Sequence, residues 1–165
     1  MEPPGWNSCV QEGARPNTNE RATGEHRRRR RSGQRVGSVD VSALVDTSIL
    51  IDYLRGHESA GQLLENERGS GVLQASEITR LEVLAGMRPP EEDATRLLLS
   101  TLTWHDVDAE VAEEAGALGR RWLPSHGGID SADLAIAATA VLTGARLLTL
   151  NVAHFPMFPD LRRPY

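Results

Sequence analysis

Residues 43–56 read ALVDTSILIDYLRG. The opening Ala43-Leu44-Val45 is an apolar run closed by a carboxylate, Asp46, which is the pattern of a short buried strand. A helix is expected from Thr47 or Ser48 to Leu54, stopping at Gly56. Asp46 thus stands at the carboxyl end of a strand, where open α/β sheets build their sites; an Asp that merely caps the next helix suits the same position.

Downstream the chain alternates helical and strand patterns. A helix is expected over Ser59–Arg68 and a buried strand over Val72–Ala75, followed by a helix capped by Ser76 that runs to about Met87 and is ended by Pro89-Pro90. Helices over 91–102 and 108–123 flank a short strand around Thr103–Val107. Gly127-Gly128 breaks the chain, a helix spans Ser131–Thr143 and ends at Gly144, and Arg146–Leu150 is the last strand. Such alternation predicts an α/β fold with a parallel sheet covered on both faces.

The chain has 165 residues, 39% hydrophobic and 25% charged, which suits one domain plus a tail. No apolar run approaches the roughly 18 residues of a membrane span, and no apolar segment follows the first basic residues as a secretory leader requires, so a cytoplasmic location is expected. Cys9 is the one cysteine, which excludes an intramolecular disulfide, a zinc ribbon and a cysteine-ligated cluster. All eighteen basic residues are arginine, so Schiff-base chemistry and lysine-dependent phosphate loops are excluded too.

Charge is uneven. Residues 1–39 hold eight Arg against four Glu, and residues 40–165 hold ten Arg against nineteen Asp and Glu. The acidic body argues against a broad electrostatic nucleic-acid binder and suits carboxylates clustered around divalent metal. Residues 1–38 carry Pro, Gly, Asn and Ser with the run Arg27 to Arg31, and are expected to be a disordered basic extension. That extension reads either as a nucleic-acid-binding arm or as a mis-assigned start, since beginning at Val36 or Val39 leaves a compact chain. Residues 41–165 are expected to form the folded domain.

Two further carboxylates sit where a merely structural domain would place something else. In the helix after Ser76, Ile78, Leu81 and Ala85 fall at i, i+3 and i+7, so the i+4 place on that stripe belongs to Glu82. A buried charge requires a metal, a proton or an arginine, Arg80 and Arg88 being the local candidates. Asp133 heads the apolar run Leu134-Ala135-Ile136-Ala137-Ala138; its ordinary role is dipole complementarity in the first turn, with Asp130 as N-cap in a sequence that approximates a capping box. Asn151 offers a carbonyl or amide after the last strand, and His154 a proton, a phosphate contact or simply a polar turn residue. Asp46, Glu82 and Asp133 have no diagnostic spacing, but each has the wrong polarity for its surroundings. Three carboxylates at the carboxyl edge of a sheet make an oxygen-rich cage that suits Mg²⁺, with Mn²⁺ as a substitute, and phosphodiester cleavage is the natural reaction.

Four segments carry a resemblance to the PIN-domain ribonucleases, specifically the VapC toxins of bacterial toxin-antitoxin pairs. LVDTSILIDYLRG (44–56) resembles the family's first strand and helix, and ITRLEVLAG (78–86) the helix that bears its catalytic Glu. ADLAIAATA (132–140) and LTLNVAHF (148–155) resemble its third and fourth motifs. The resemblance covers residues 41–165 and implies a PIN-like three-layer α/β/α fold around a parallel sheet. It places Asp46, Glu82 and Asp133 at the three acidic metal-binding positions, and Ser48 and Thr47 at the hydroxyl positions after the first Asp. Thr149 falls in the last motif. That motif often has an acid just before its Phe, where this chain has His154, and other PIN domains have Asp where Asn151 stands; Asp130 is not a clear match.

The implied activity is Mg²⁺-dependent hydrolysis of structured RNA, a tRNA or rRNA cut at a single-stranded loop, without a covalent enzyme intermediate. Implied partners are a VapB-type antitoxin that covers the site and a second toxin copy, giving a homodimer and a heterotetramer or larger assembly with antitoxin. Ile49, Leu50, Leu54, Leu63 and Leu64 on the early helices are expected to supply the antitoxin groove. Haloacid-dehalogenase phosphatases want an acid two residues after the first Asp, where Ser48 stands, and receiver domains want a lysine that this chain lacks. The alternative is a PIN-like module that binds RNA or antitoxin and cuts weakly or not at all.

Overall fold

The computed structural model describes residues 42–165, and at its centre is β1 (Ala43–Val45), buried along its whole length. After β1 come α1 (Thr47–Leu54), α2 (Glu58–Ser70), β2 (Leu73–Ser76), α3 (Glu77–Ala85), a 3-10 turn at Pro89–Glu91 and α4 (Glu92–Leu99). β3 (Thr103–His105), α5 (Ala109–Trp122), α6 (Ser131–Thr143), β4 (Arg146–Leu148) and a second 3-10 turn at Val152–His154 complete the chain. The strands pair in parallel in the order β3-β2-β1-β4, with Leu44 opposite Gln74 on one side and Leu147 on the other. Parallel neighbours require crossovers, and the helices supply them.

Alternation along β1 assigns the two faces. Ala43 and Val45 join Leu73, Ala75 and Leu148 under α1 to α4, where Ile49, Leu50, Leu64, Val83, Leu98 and Leu99 close one core. Leu44 and Leu147 face the other way, against Ile136, Ala137 and Ala140 of α6 and Phe155, with Leu118 of α5 at the margin. The result is the three-layer α/β/α architecture expected from the sequence. α3 lies across the carboxyl end of the sheet and serves both layers, with Val83 in the first and Ile78 against the second.

Several boundaries and roles differ from the sequence reading. β2 begins at Leu73 and takes in Ser76, whose side chain makes no cap; its Oγ lies 3.3 Å from Thr139 Oγ1 on α6. α3 ends at Ala85, two residues short of Met87 and ahead of the prolines. β4 stops at Leu148 because Leu150 donates its N–H to Ser48 Oγ, at 3.0 Å, and leaves the ladder. Gly144, at φ +66°, takes the left-handed turn that ends α6.

Two packing expectations are corrected. The buried stripe of α3 runs through Thr79 and Val83, while Leu81 is 60% exposed and Ala85 is exposed. Glu82 therefore lies at the edge of the buried face, where α3 meets open space. Ile49, Leu50 and Leu64 are core, and Leu54 and Leu63 pack on them in part, so that of the five only Leu54 also reaches an open depression. That depression, beside α1, is lined by Ile51, Leu54, Val83 and Met87, with Arg55, Arg88 and Glu91. The expectations for residues 1–38 lie outside the described residues. Among the described residues no helix is long and apolar enough to cross a membrane.

Candidate active site

β1, β2 and β4 all point their carboxyl ends at one cleft of about 410 Å³, lined by Asp46, Thr47, Ser48, Glu82, Asp130, Asp133, Asn151 and His154 among others. Residues drawn from four separate segments are brought together by a parallel sheet, because its strands share one carboxyl edge. Thr149 does not line the cleft; it is fully buried beneath it.

Asp46 ends β1 and caps α1, so both roles open to it at this position are taken. Its carboxylate is 4% exposed. Oδ2 accepts the Ser48 hydroxyl at 2.6 Å and the Thr149 hydroxyl at 2.7 Å, with the Ser48 N–H at 3.4 Å. The two hydroxyls are themselves held, since Ser48 Oγ accepts from Leu150 N–H and Thr149 Oγ1 from Asn151 N–H at 2.9 Å. A buried carboxylate with its acceptor oxygen saturated by oriented donors is fixed in rotation.

Glu82 faces Asp46 from α3. Thr47 donates its hydroxyl to Glu82 Oε2 at 2.5 Å. Among the described residues no arginine ion-pairs with Glu82: Arg80 pairs with Glu77 and lies over the Trp104 ring, and Arg88 pairs with Glu91. Burial pushes the Glu82 carboxyl above its ordinary range; the Thr47 hydrogen bond opposes this, and the charges of Asp46, Asp130 and Asp133 add to it.

Asp133 and Asp130 form a complete reciprocal box at the start of α6. Asp130 Oδ1 accepts the N–H groups of Ala132 and Asp133 at 2.8 and 2.9 Å, and Asp133 Oδ2 accepts the Asp130 N–H at 3.0 Å. His154 Nδ1 reaches the same Oδ2 at 3.0 Å. Burial raises the Asp133 carboxyl above its usual range; the Asp130 N–H and His154 pull it down, while the Asp130 and Asp46 charges push it up.

Four lining residues escape the sequence reading, Leu150 after β4 and three on α1. Ile51, Asp52 and Arg55 fall with Ser48 at i, i+3, i+4 and i+7, so one stripe of α1 faces the cleft. The spacing was present in the sequence, but which stripe faces inward depends on how α1 rests on the sheet.

Oxygen donors and negative charge are the chemistry a hard divalent cation takes; burial first, and neighbouring carboxylates second, raise the carboxyls of Glu82 and Asp133. Among the described residues, however, no three His, Cys, Asp or Glu side chains stand together at ligating spacing. The acids line an open cleft, each held by its own hydroxyl, amide or imidazole donor, and do not form a closed cage. The donor set fits Mg²⁺ or Mn²⁺ by its chemistry.

Comparison with known proteins agrees with this architecture. The PIN domain family profile matches residues 43–155. Ribonuclease VapC19 of Mycobacterium tuberculosis is 47% identical over 123 residues, covering 74% of this chain and 98% of that protein. Ribonuclease VapC10 of the same organism is 38% identical over 122 residues, 74% of this chain and 92% of its own. Among solved structures, a toxin-antitoxin complex from Klebsiella pneumoniae superposes with a TM-score of 0.65 at 34% identity, over 74% of this chain and 98% of that one.

Proposed function

The chain belongs to the PIN-domain family, in its VapC branch, and from that premise we propose that it is the toxin of a toxin-antitoxin pair acting as a metal-dependent endoribonuclease. Its substrate is a structured RNA, tRNA or rRNA, cut at a single-stranded loop so that translation stops. The observation that carries this reading is the set Asp46, Glu82 and Asp133 facing one cleft, none of them ion-paired to an arginine among the described residues.

Asp46, Glu82 and Asp133 would hold Mg²⁺, or Mn²⁺ in its place, and a bound cation supplies Lewis-acid charge to a phosphodiester and to the attacking water. The chain's own groups do the rest. Ser48 and Thr149 fix the rotation of Asp46, Thr47 fixes Glu82, and His154 with the Asp130 N–H fixes Asp133. Held in advance, these groups need little rearrangement as charge develops on the phosphate. Asn151 stands exposed at the rim, where its amide can meet the ribose-phosphate chain. Asp130 serves first as the cap of α6.

A VapB-type antitoxin is the proposed partner, since the Klebsiella pneumoniae neighbour is a toxin-antitoxin complex. Homodimerisation, a heterotetramer or larger assembly with antitoxin, and a cytoplasmic location belong to the same proposal. The test is incubation of total RNA with purified protein in Mg²⁺ or Mn²⁺ against EDTA, beside Asp46→Asn and Glu82→Gln. Discrete fragments that vanish with EDTA and with either substitution are expected. A folded wild type that binds metal and RNA yet releases no fragments would establish the non-cutting module instead.

A further inference from the structure

Among the described residues, Arg55 is the one arginine that lines the acidic cleft, where it stands with Asp46, Asp52, Glu82, Asp130 and Asp133. A phosphate chain entering such a cleft meets strong repulsion, so a free cation at its edge has an evident use. Four other arginines are committed: Arg80 to Glu77, Arg88 to Glu91, Arg96 to Glu92 and Arg146 to Glu67. Arg55 makes no ion pair among the described residues.

Its freedom has an identifiable cause. Asp52, three residues earlier on the same stripe of α1, is the natural helical partner. Asp52 is turned elsewhere: Oδ1 lies 3.9 Å from His57 Nε2, and Oδ2 accepts the Tyr165 hydroxyl at 3.4 Å. Glu91, whose carboxyl is held below its ordinary range first by Arg88 and only last by Arg55, is already engaged through both side-chain oxygens by Arg88. The position of Arg55 is fixed as well, because its N–H closes the last turn of α1 on the Ile51 carbonyl at 3.0 Å and Gly56, at φ +79°, ends the helix there.

We propose that Arg55 is a substrate-binding residue that grips a phosphate of the RNA flanking the scissile one. The inference rests on the ribonuclease reading above. Arg55 lies seven residues after Ser48, about 10 Å along the helix axis, so the backbone that carries it is remote from Asp46 and its guanidinium serves a neighbouring phosphate. A guanidinium binds phosphate oxygens in a two-pronged geometry that lysine does not reproduce. It also sits where the cleft meets the depression between α1 and α3, which gives the RNA strand a direction of exit.

The test compares Arg55→Met, Arg55→Lys and Arg96→Met in the full chain. Arg96→Met removes the same charge from a residue already paired with Glu92 and lining neither the cleft nor the depression, and controls for net charge. Arg55→Met is expected to raise KM for RNA cleavage about tenfold with kcat within about twofold, Arg55→Lys to recover part of it, and Arg96→Met to leave KM within about twofold. Binding of a labelled random single-stranded RNA, in an Asp46→Asn background that stops turnover, is expected to show a salt dependence shallower by about 0.7 in log-log slope for Arg55→Met alone. A purely structural role for Arg55 at the C-terminus of α1 would move the melting temperature and leave KM and slope unchanged. Equal KM and slope for Arg55→Met and Arg96→Met overturn the proposal. Absence of cleavage by the wild type removes the ribonuclease reading, and the salt slope still decides whether Arg55 holds RNA phosphate.

Discussion

Thr149 donates its hydroxyl to Asp46 Oδ2 at 2.7 Å, a contact that joins the last strand's end to the first strand's end from below the cleft. Because Ser48 donates to the same oxygen, Oδ2 is occupied by protein and Oδ1 is the oxygen left for the cleft. Thr149→Val keeps the shape and removes the donor, and it strips the Asn151 N–H of its acceptor. We expect a stability loss of about 1–3 kcal/mol with a tenfold or greater fall in cleavage and RNA binding retained. Urea melts and single-turnover cleavage measure the two effects separately.

The elevated carboxyls of Glu82 and Asp133 make stability depend on pH in a defined direction. A carboxyl whose folded pKa exceeds its unfolded value binds protons more readily when folded, so its favourable contribution is complete below the unfolded pKa. It is lost as pH rises through the raised folded pKa. Metal-free protein is therefore expected to lose stability from these groups between the ordinary carboxylate range and their raised values. Glu82→Gln should melt about 1–3 °C above the wild type at pH 7 without metal, with solvent screening keeping the effect small. The difference should close near pH 4, and 5 mM Mg²⁺, about a standard working concentration, should stabilise the wild type more than the variant. A variant that melts below the wild type at pH 7 in EDTA would contradict the raised Glu82 carboxyl.

Asp130 separates capping from ligation. Its Oδ1 holds two N–H groups of α6, so Asp130→Ala is expected to cost about 1 kcal/mol and Asp130→Asn much less. If its part is the cap alone, Asp130→Asn retains cleavage within a few fold. A loss as deep as that of Asp46→Asn would make Asp130 a fourth acidic ligand.

Phe155 ends the last motif fully buried against Leu44, Leu147 and α6. Phe155→Ala should cost about 3–5 kcal/mol through the cavity it leaves. Its neighbour His154 is held to Asp133, so the same substitution should also loosen the site, and cleavage at 37 °C should fall more than at 15 °C.

The ends of α1 and α6 were legible because both carry strong punctuation, an Asp before each helix and Gly56 or Gly144 after it. The strands were legible from apolar runs. Glu82 was selected by a stripe through Leu81 and Ala85 that proved to be exposed, yet the residue does face the cleft, because a carboxylate next to the buried Val83 marks the boundary of the same face. Ser76 read as a cap since Ser usually is one; its oxygen turned inward to Thr139 once α6 covered it. The roles of Thr149, Asp52 and Arg55 were out of reach, because each depends on what another segment places beside it. For Thr149 that segment is β1, and for Asp52 it is the chain's last residue, Tyr165.

The sheet order has a consequence for when the cleft comes into existence. β1 lies between β2 and β4, and Asp46 draws its N–H partner, the Leu148 carbonyl, and one of its two hydroxyl donors from beyond residue 147. Asp133 likewise depends on His154. A ribosome-bound chain from which residues 148–154 have not yet emerged can fold most of its helices and still own no finished site, since domains close only as their long-range partners emerge. For a protein proposed to attack the translation apparatus, this topology ties competence to the emergence of residues 148–154, after all six described helices have been made.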